Sequence, residues 1–322
     1  MGNFRLDDDL SAPTSDRAAD ASTEPRPQSM SRFRGWLRLL AASGLIVVLS
    51  LVVIRQSQPK TIVGRHWNLA DRIPLNQIRH STWTALLRQY VDVNGNVDYA
   101  NWSRSSADRL RLEEYLEHLS RANPDLPAEQ GELLSFWINA YNALSIHGIL
   151  AEYPTSSIQN HVSNMWGYNI WRDLCLRVNG HDYSLGQIEH EQLRPMKEPQ
   201  IHFAIVCSSR GCPRLMNEAY EAEQLSEQLR QNAKQFFADP SKCRFDASKG
   251  ELQLSPILRW YAKDFGETPA AQLKTIADWL PDDQARTSAK TGQLTTTDLD
   301  YDWSLNERIE ELPTDAPPLP PQ

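Results

Sequence analysis

From Leu133 to Ala151 the chain carries no Asp, Glu, Lys or Arg. A stretch of that length could cross a membrane, but two asparagines, two serines and a histidine inside it make insertion into lipid costly. A helix that is apolar on nearly every side is more typical of the core of a large domain. The stretch therefore predicts a buried central helix.

Two asparagines lie within this predicted helix. Asn139 and Asn142 are three positions apart and so share one face of the helix. A buried carboxamide must find hydrogen-bond partners. The pair either binds the backbone of neighbouring loops or orients a catalytic or ligand-binding group, and the sequence leaves both interpretations open.

Segment 36–55 predicts one transmembrane helix. It has no charge from Leu39 to Ile54, and Arg38 can reach the interface, so the segment is long enough to span a bilayer. An uncleaved anchor is favoured over a signal peptide because no A-x-A site follows. Arginines crowd the N-terminal flank, so we expect a single-pass cell-membrane protein with a cytoplasmic N-terminus and an extracytoplasmic, periplasmic domain.

Composition sets the remaining boundaries. Residues 1–31 are rich in Asp, Ser, Pro and Ala and residues 313–322 are rich in Pro, so both ends are expected to be disordered. Residues 56–75 are expected to form a linker, and residues 76–312 the globular domain. The net charge of −8 and the absence of a long basic tract exclude nucleic acid as an expected partner. The membrane is the only predicted partner, and a substrate or protein partner stays unidentified.

Helices predominate in the globular part. "SADRLRLEEYLEHLSRA" has the helical period, "CRFDASKGELQLS" reads as a hairpin, and Asn94-Gly95 is a typical hairpin turn. The sequence predicts an α+β fold: a mainly helical single domain with short antiparallel strands, preceded by the transmembrane helix.

"YSLGQIEHEQLRP" carries a strong helix start. Ser184 and Gln187 fit a capping box, and His190 and Arg194 point away from the apolar face. With Glu189, these two residues belong either to a solvated surface or to a cleft.

The densest group of chemically reactive residues is "HFAIVCSSRGCPRL". Its apolar first half predicts a strand from His202 to Cys207, and Pro213 suits the first turn of a following helix. Cys212 would then lie at a helix N-terminus, where the helix dipole and free N–H groups lower the pKa of a thiol.

These residues allow several chemistries. Cys212 could be the nucleophile of a hydrolase or transferase, with His202 or His190 as base and Asn139, Asn142 or Glu189 as the orienting group. Cys207 and Cys212 could instead form a structural disulfide in a non-catalytic envelope binding module. Zinc ligation by His190, His202, Cys207 and Cys212 matches no common spacing, so no metal and no cofactor are predicted. Four further residues are assigned to the cleft: Glu189, Arg194, Trp137 and Arg210.

Several of these motifs together resemble one protein family. They are "YVDVNGNVDYANW", "FWINAYNALSIHGIL", "YPTSSI", "YSLGQIEHEQLR", "IHFAIVCSSRGCPRL", "LSPILRWYAKDFG" and "YDWSLN", and they extend over about residues 83 to 306. The family is the uncharacterised domain of unknown function 547. The resemblance implies a single α+β domain, often behind a signal peptide or anchor in bacteria, and no stated activity. Gly186-Gln187 and Gln200 depart from the usual pattern.

Overall fold

The computed structural model describes residues 60–162 and 168–309, all within one compact unit. Its α-helices are Ser81–Tyr90, Tyr99–Arg104, Ser106–Ser120, Gln130–Glu152, Ile170–Asp173, Leu185–Gln187, Leu225–Ala238, Ile257–Trp260, Ala262–Phe265, Pro269–Ile276 and Asp283–Thr291. Short 3₁₀-helices are Leu69–Asp71, Leu75–Gln77, Ile158–His161, Arg194–Met196, Pro199–Phe203 and Ala277–Trp279, and Ile188–Leu193 is a π-helix. The α+β, mainly helical architecture agrees with the sequence.

The central helix, Gln130–Glu152, is present as the sequence predicts. A capping box between Glu129 and Glu132 begins it, and most of its side chains are buried. Because it is apolar all round, it must be covered on every side, and the larger hydrophobic cluster forms around it.

Two small sheets complete the fold, and each contains one parallel pair, so the strands are not all antiparallel as the sequence predicts. In the first, Leu174–Val178 pairs in parallel with Thr61–Val63 and antiparallel with His181–Ser184. Residues 61–63, expected in the linker, are thus an edge strand. In the second, the predicted hairpin is formed by Cys243–Asp246 and Glu251–Leu254.

The hairpin turn of the second sheet passes through Gly250, whose φ of 61° suits a residue without a Cβ. Thr295–Asp298 adds a parallel strand to its second arm. The helices after this sheet pack with it into a second hydrophobic cluster, in which Phe203 and Phe237 are fully buried. The residues discussed below lie where the two clusters meet.

The predicted transmembrane helix has no counterpart in the described structure. Within residues 60–162 and 168–309, no helix is long and apolar enough to cross a membrane. Segment 36–55 and the tails 1–31 and 313–322 lie outside the described residues.

Three local predictions need correction. At Asn94-Gly95 the predicted turn closes a single antiparallel bridge, Val91 with Val97, and no strands flank it because one helix ends at Tyr90 and the next begins at Tyr99. Residues 202–207 are not a strand: a 3₁₀-helix ends at Phe203 and irregular chain follows. The helix expected from Pro213 begins only at Leu225.

Candidate functional site

The irregular segment 204–224, here called the site loop, is held by polar side chains of the central helix. Asn142 accepts the N–H of Val206 at 2.9 Å and donates to the carbonyl of Ala204 at 2.9 Å. A carboxamide that makes both bonds replaces the ladder partners that this backbone lacks.

Two further residues of the same helix face continue this pattern. Asn139 makes the same reciprocal pair with the backbone of Tyr220, at 2.8 and 3.0 Å. Ser145 is hydrogen-bonded to the Ser208 hydroxyl at 3.1 Å. Asn139 and Asn142 therefore bind the backbone of the site loop, which is the first of the two interpretations that the sequence left open. Ser145 lies on the same helix and adds a third contact with the loop.

Cys212 lies in a turn of the site loop and not at a helix N-terminus. Its backbone N–H donates to Ser209 within the turn. The preceding Gly211 has no Cβ, and one built there would come within 2.7 Å of the Tyr301 ring. Glycine at this position therefore allows the Tyr301 ring to approach the thiol closely.

Hydrogen-bond donors converge on the sulfur of Cys212. The backbone N–H of Cys207 donates to it at 3.2 Å, and the Ser209 hydroxyl donates at 3.3 Å. The Tyr301 hydroxyl lies 3.2 Å from the same sulfur. Cys212 is only 6% exposed, so these contacts are shielded from water.

These contacts make Cys212 an acidic thiol. Burial alone would raise its pKa, but hydrogen bonds from the side chains of Cys207, Ser209 and Tyr301 outweigh burial and lower the pKa to about 6. Burial and the nearby Cys212 charge in turn raise the pKa of the Tyr301 hydroxyl, which stays protonated and able to donate.

The pKa of Cys207 is shifted in the opposite direction. Its hydrogen bond to Cys212, together with burial, raises its pKa well above that of a free thiol. Its sulfur is in longer contacts, 3.4 Å to the Ser209 hydroxyl and 3.7 Å to that of Tyr301. Both cysteines are free thiols, so the disulfide considered from the sequence is not formed in this structure.

The imidazole of His202 is bound to Asp264 and not to Cys212. Its Nε2 lies 2.7 Å from the Asp264 carboxylate, which also accepts a bidentate pair from Arg194 at 2.6 and 2.9 Å. Burial lowers the pKa of His202 to about 4 despite Asp264. The ring is therefore neutral, with its proton on Nε2 and a bare Nδ1 that has no hydrogen-bond partner among the described residues.

His190 is more exposed and accepts a hydrogen bond from Arg194 at 3.1 Å through Nδ1. Glu189 beside it is buried, and burial raises its pKa. Within the described part of the chain, the Glu189 Oε1 atom has no hydrogen-bond partner. Neither His190 nor His202 has a hydrogen bond to Cys212 among the described contacts, so the expected Cys–His pair is not a direct one.

Two cavities meet at Cys212. A polar cleft of about 550 Å³ is lined by Cys212 and by charged residues that include Arg210, Lys242 and Asp302. An aromatic pocket of about 160 Å³ is also lined by Cys212. The residues that line the aromatic pocket are Tyr141, Trp171, Glu189, His202, Ile205, Cys207, Cys212, Pro213, Ile257, Trp260, Tyr261, Tyr301 and Trp303.

The other residues that the sequence assigned to the cleft lie in different places. Arg210 lines the polar cleft and donates to the backbone carbonyl of Glu307 at 2.7 Å. Trp137 is fully buried in the core, where it packs edge-on against Phe136 and Tyr183. Arg194 acts through Asp264 and His190, as described above.

Four residues of the site were not identified from the sequence. Ser209 and Tyr301 contact the Cys212 sulfur, Asp264 binds His202, and the Tyr261 ring stacks on His202 with centroids 4.0 Å apart. Three of them lie in "LSPILRWYAKDFG" and "YDWSLN". The sequence therefore showed these motifs but did not show what their side chains do.

In the part of the chain that the structure describes, no group of three or more His, Cys, Asp or Glu residues is placed to hold a metal ion. Residues 127–237 match the family model described as protein of unknown function, DUF547. No curated protein and no solved structure is significantly similar to the chain.

Proposed function

We propose that this protein, whose residues 127–237 match the DUF547 family model, is a thiol-dependent enzyme of the hydrolase or transferase type with Cys212 as nucleophile. The convergence of Cys207 N–H, Ser209 and Tyr301 on the Cys212 sulfur carries this proposal. A thiolate is the reactive form of cysteine, and a pKa of about 6 leaves most Cys212 ionised at neutral pH.

The missing histidine contact is compatible with this chemistry. A general base is needed to remove the proton of a nucleophile, and a thiol that is already ionised has none to lose. His202, fixed by Asp264, lines the same aromatic pocket as Cys212 and belongs to the wall that shapes the bound group.

The reaction uses an activated acyl group. The Cys212 thiolate attacks the carbonyl carbon, the S–C bond forms, and the bond from that carbon to the leaving oxygen or nitrogen breaks. The leaving group takes a proton from solvent in the open polar cleft. Water or a second acceptor then attacks the thioester and regenerates the thiolate.

Trapping of the acyl intermediate tests the proposal. After reaction with p-nitrophenyl acetate, intact-protein mass spectrometry should find one acetyl group on the native chain and none on Cys212→Ser. Cys243→Ser is the matched control, because burial raises the pKa of Cys243 to about 12 and that thiol should not react. Acetylation that persists in Cys212→Ser would refute the proposal.

A dithiol oxidoreductase is the second candidate, favoured by the contact between the acidic Cys212 and the protonated Cys207. The Cys212 thiolate would attack a substrate disulfide and release one thiolate. Cys207 would then lose its proton to solvent and attack the Cys212 sulfur, releasing the second thiolate. The substrate gains two electrons and the enzyme is left with a Cys207–Cys212 disulfide.

Cys207→Ser separates the two candidates. An acyl-transfer enzyme should keep its Cys212 acetylation in this variant. A dithiol enzyme should stop at the mixed disulfide. If Cys212 is unreactive in the reduced, folded protein, the non-catalytic binding module becomes the better interpretation.

A further inference from the structure

The aromatic pocket contains two buried acceptors without donors. Glu189 is 6% exposed and His202 is 2% exposed, and the Oε1 of one and the Nδ1 of the other have no hydrogen-bond partner among residues 60–162 and 168–309. The nearest nitrogen recorded for Oε1 is Nδ1 of His190 at 3.9 Å, too long for a hydrogen bond. A buried acceptor without a partner is costly, so the pocket lacks a donor that a ligand can supply.

The proton positions identify the kind of donor. Nε2 of His202 faces the Asp264 carboxylate, which can only accept, so Nδ1 is the bare nitrogen of a neutral ring. A bound cation favours the ionised form of Glu189, and a carboxylate oxygen and a bare imidazole nitrogen both accept hydrogen bonds from N–H groups. A ligand that carries several N–H groups on one atom satisfies both.

The rest of the pocket wall favours a positive charge. Tyr141, Trp171, Tyr261 and Trp303 are among the lining residues, and aromatic rings attract cations. The Arg194 guanidinium lies 5.5 Å from the Tyr261 ring, but its charge is matched by Asp264 in a bidentate pair. His190 is hydrogen-bonded to Arg194 through Nδ1.

We propose that the aromatic pocket binds the protonated primary amine at the end of a short alkyl chain, with Glu189 and His202 as its hydrogen-bond acceptors. The alkyl stem lies among the rings, and the ammonium donates to Oε1 and Nδ1. This rests on the proposed function in that the amine end positions a substrate whose reacting carbonyl lies at Cys212, at the junction with the polar cleft.

Binding by n-butylamine, measured calorimetrically in Cys212→Ser, tests the pocket without the thiol chemistry. Near neutral pH the amine is protonated, and we expect it to bind at least tenfold more tightly than 1-butanol, its neutral counterpart. We also expect tighter binding than for butyltrimethylammonium, which has no N–H to donate. Equal binding of either comparison compound, or no binding of butylamine at millimolar concentration, would overturn the proposal.

Two variants locate the binding site. Glu189→Gln should weaken butylamine binding at least tenfold, whereas Glu191→Gln, on the exposed side of the same turn, should leave it unchanged. Unchanged binding in Glu189→Gln would contradict the assignment. If that variant does not fold, the comparison of amine with alcohol on Cys212→Ser still decides.

The pocket and the nucleophile can fail separately. If the pocket does not prefer the amine but Cys212 is reactive, only the proposed substrate class is refuted. If the pocket binds the amine but Cys212 is unreactive, only the proposed thiol enzyme is refuted.

Discussion

The acidity of Cys212 depends on a side chain from a distant part of the chain. Tyr301 is 89 positions away, yet its hydroxyl lies 3.2 Å from the Cys212 sulfur and 2.9 Å from the Ser209 hydroxyl. Gly211 permits this approach because a Cβ at that position would collide with the ring. Tyr301 therefore completes the donor set that the site loop supplies only in part.

Replacement of Tyr301 by phenylalanine should raise the pKa of Cys212. A hydrogen bond to a charged group contributes about 1.5–3 kcal/mol, and one pKa unit corresponds to about 1.4 kcal/mol, so we expect an increase of roughly one to two units. The pH dependence of alkylation reports this change. Tyr183→Phe, which removes a hydroxyl far from the thiol, should change nothing, and an unchanged pKa in Tyr301→Phe would show that the hydroxyl does not stabilise the thiolate.

The sequence pointed to Cys212 through a helix N-terminus that the structure does not have. The expected helix dipole is absent because the helix begins at Leu225, and converging donors take its place. The donor from Tyr301 could not be predicted, since no local pattern relates residues 89 positions apart. The capping box of Ser184 and Gln187 was predicted correctly because both of its bonds lie within four residues.

At the scale of secondary structure, the central helix organises the site loop. Its apolar faces enter the core, Asn139 and Asn142 bind backbone of the loop, and Ser145 binds the Ser208 hydroxyl. The period and the lack of charge made the helix predictable. The loop was mistaken for a strand and a helix because its hydrogen bonds go to side chains more than 60 positions away.

Asn142→Ala should destabilise the domain by about 2–4 kcal/mol, because it leaves the buried N–H of Val206 and the carbonyl of Ala204 without partners. Urea unfolding of both proteins measures the difference. Ser135→Ala is the control on the same helix: its hydroxyl only adds a bond to the Glu132 carbonyl one turn back, so we expect a loss below about 1 kcal/mol. Equal losses in the two variants would contradict the clamping role of Asn142.

For the whole molecule, buried histidines link stability to pH. Burial lowers the pKa of both His80 and His202 from 6.5 to about 4. Since the unfolded chain binds these protons more readily, each ring contributes stability above pH 6.5 that is lost as the pH falls through about 4. Each contribution is at most about 3 kcal/mol. Cys212 is mostly protonated below pH 6 and adds little to this change.

The free energy of unfolding should therefore decrease steadily between about pH 6 and pH 4.5, as measured by urea titration at fixed ionic strength. His80→Gln should flatten this decrease, and His181→Gln, an exposed residue, should not. A stability that is constant over this range would show that the two rings are not buried as neutral groups.

The site as a whole is assembled from the site loop, the helix pair that follows Pro256, and the chain around Tyr301. This is why a family resemblance spread over several motifs was informative while none of the motifs revealed its chemistry. The fold class was largely predictable from local patterns, whereas the site depends on contacts between them.

The rate of Cys212 alkylation by iodoacetamide as a function of pH tests the central claim most directly. Peptide mass spectrometry should locate the label on Cys212 in the reduced, folded protein, and the rate should rise with a midpoint near pH 6. Cys212→Ser should abolish this labelling. A midpoint near pH 8.5, the value of an ordinary thiol, or no labelling of the reduced protein would contradict the account.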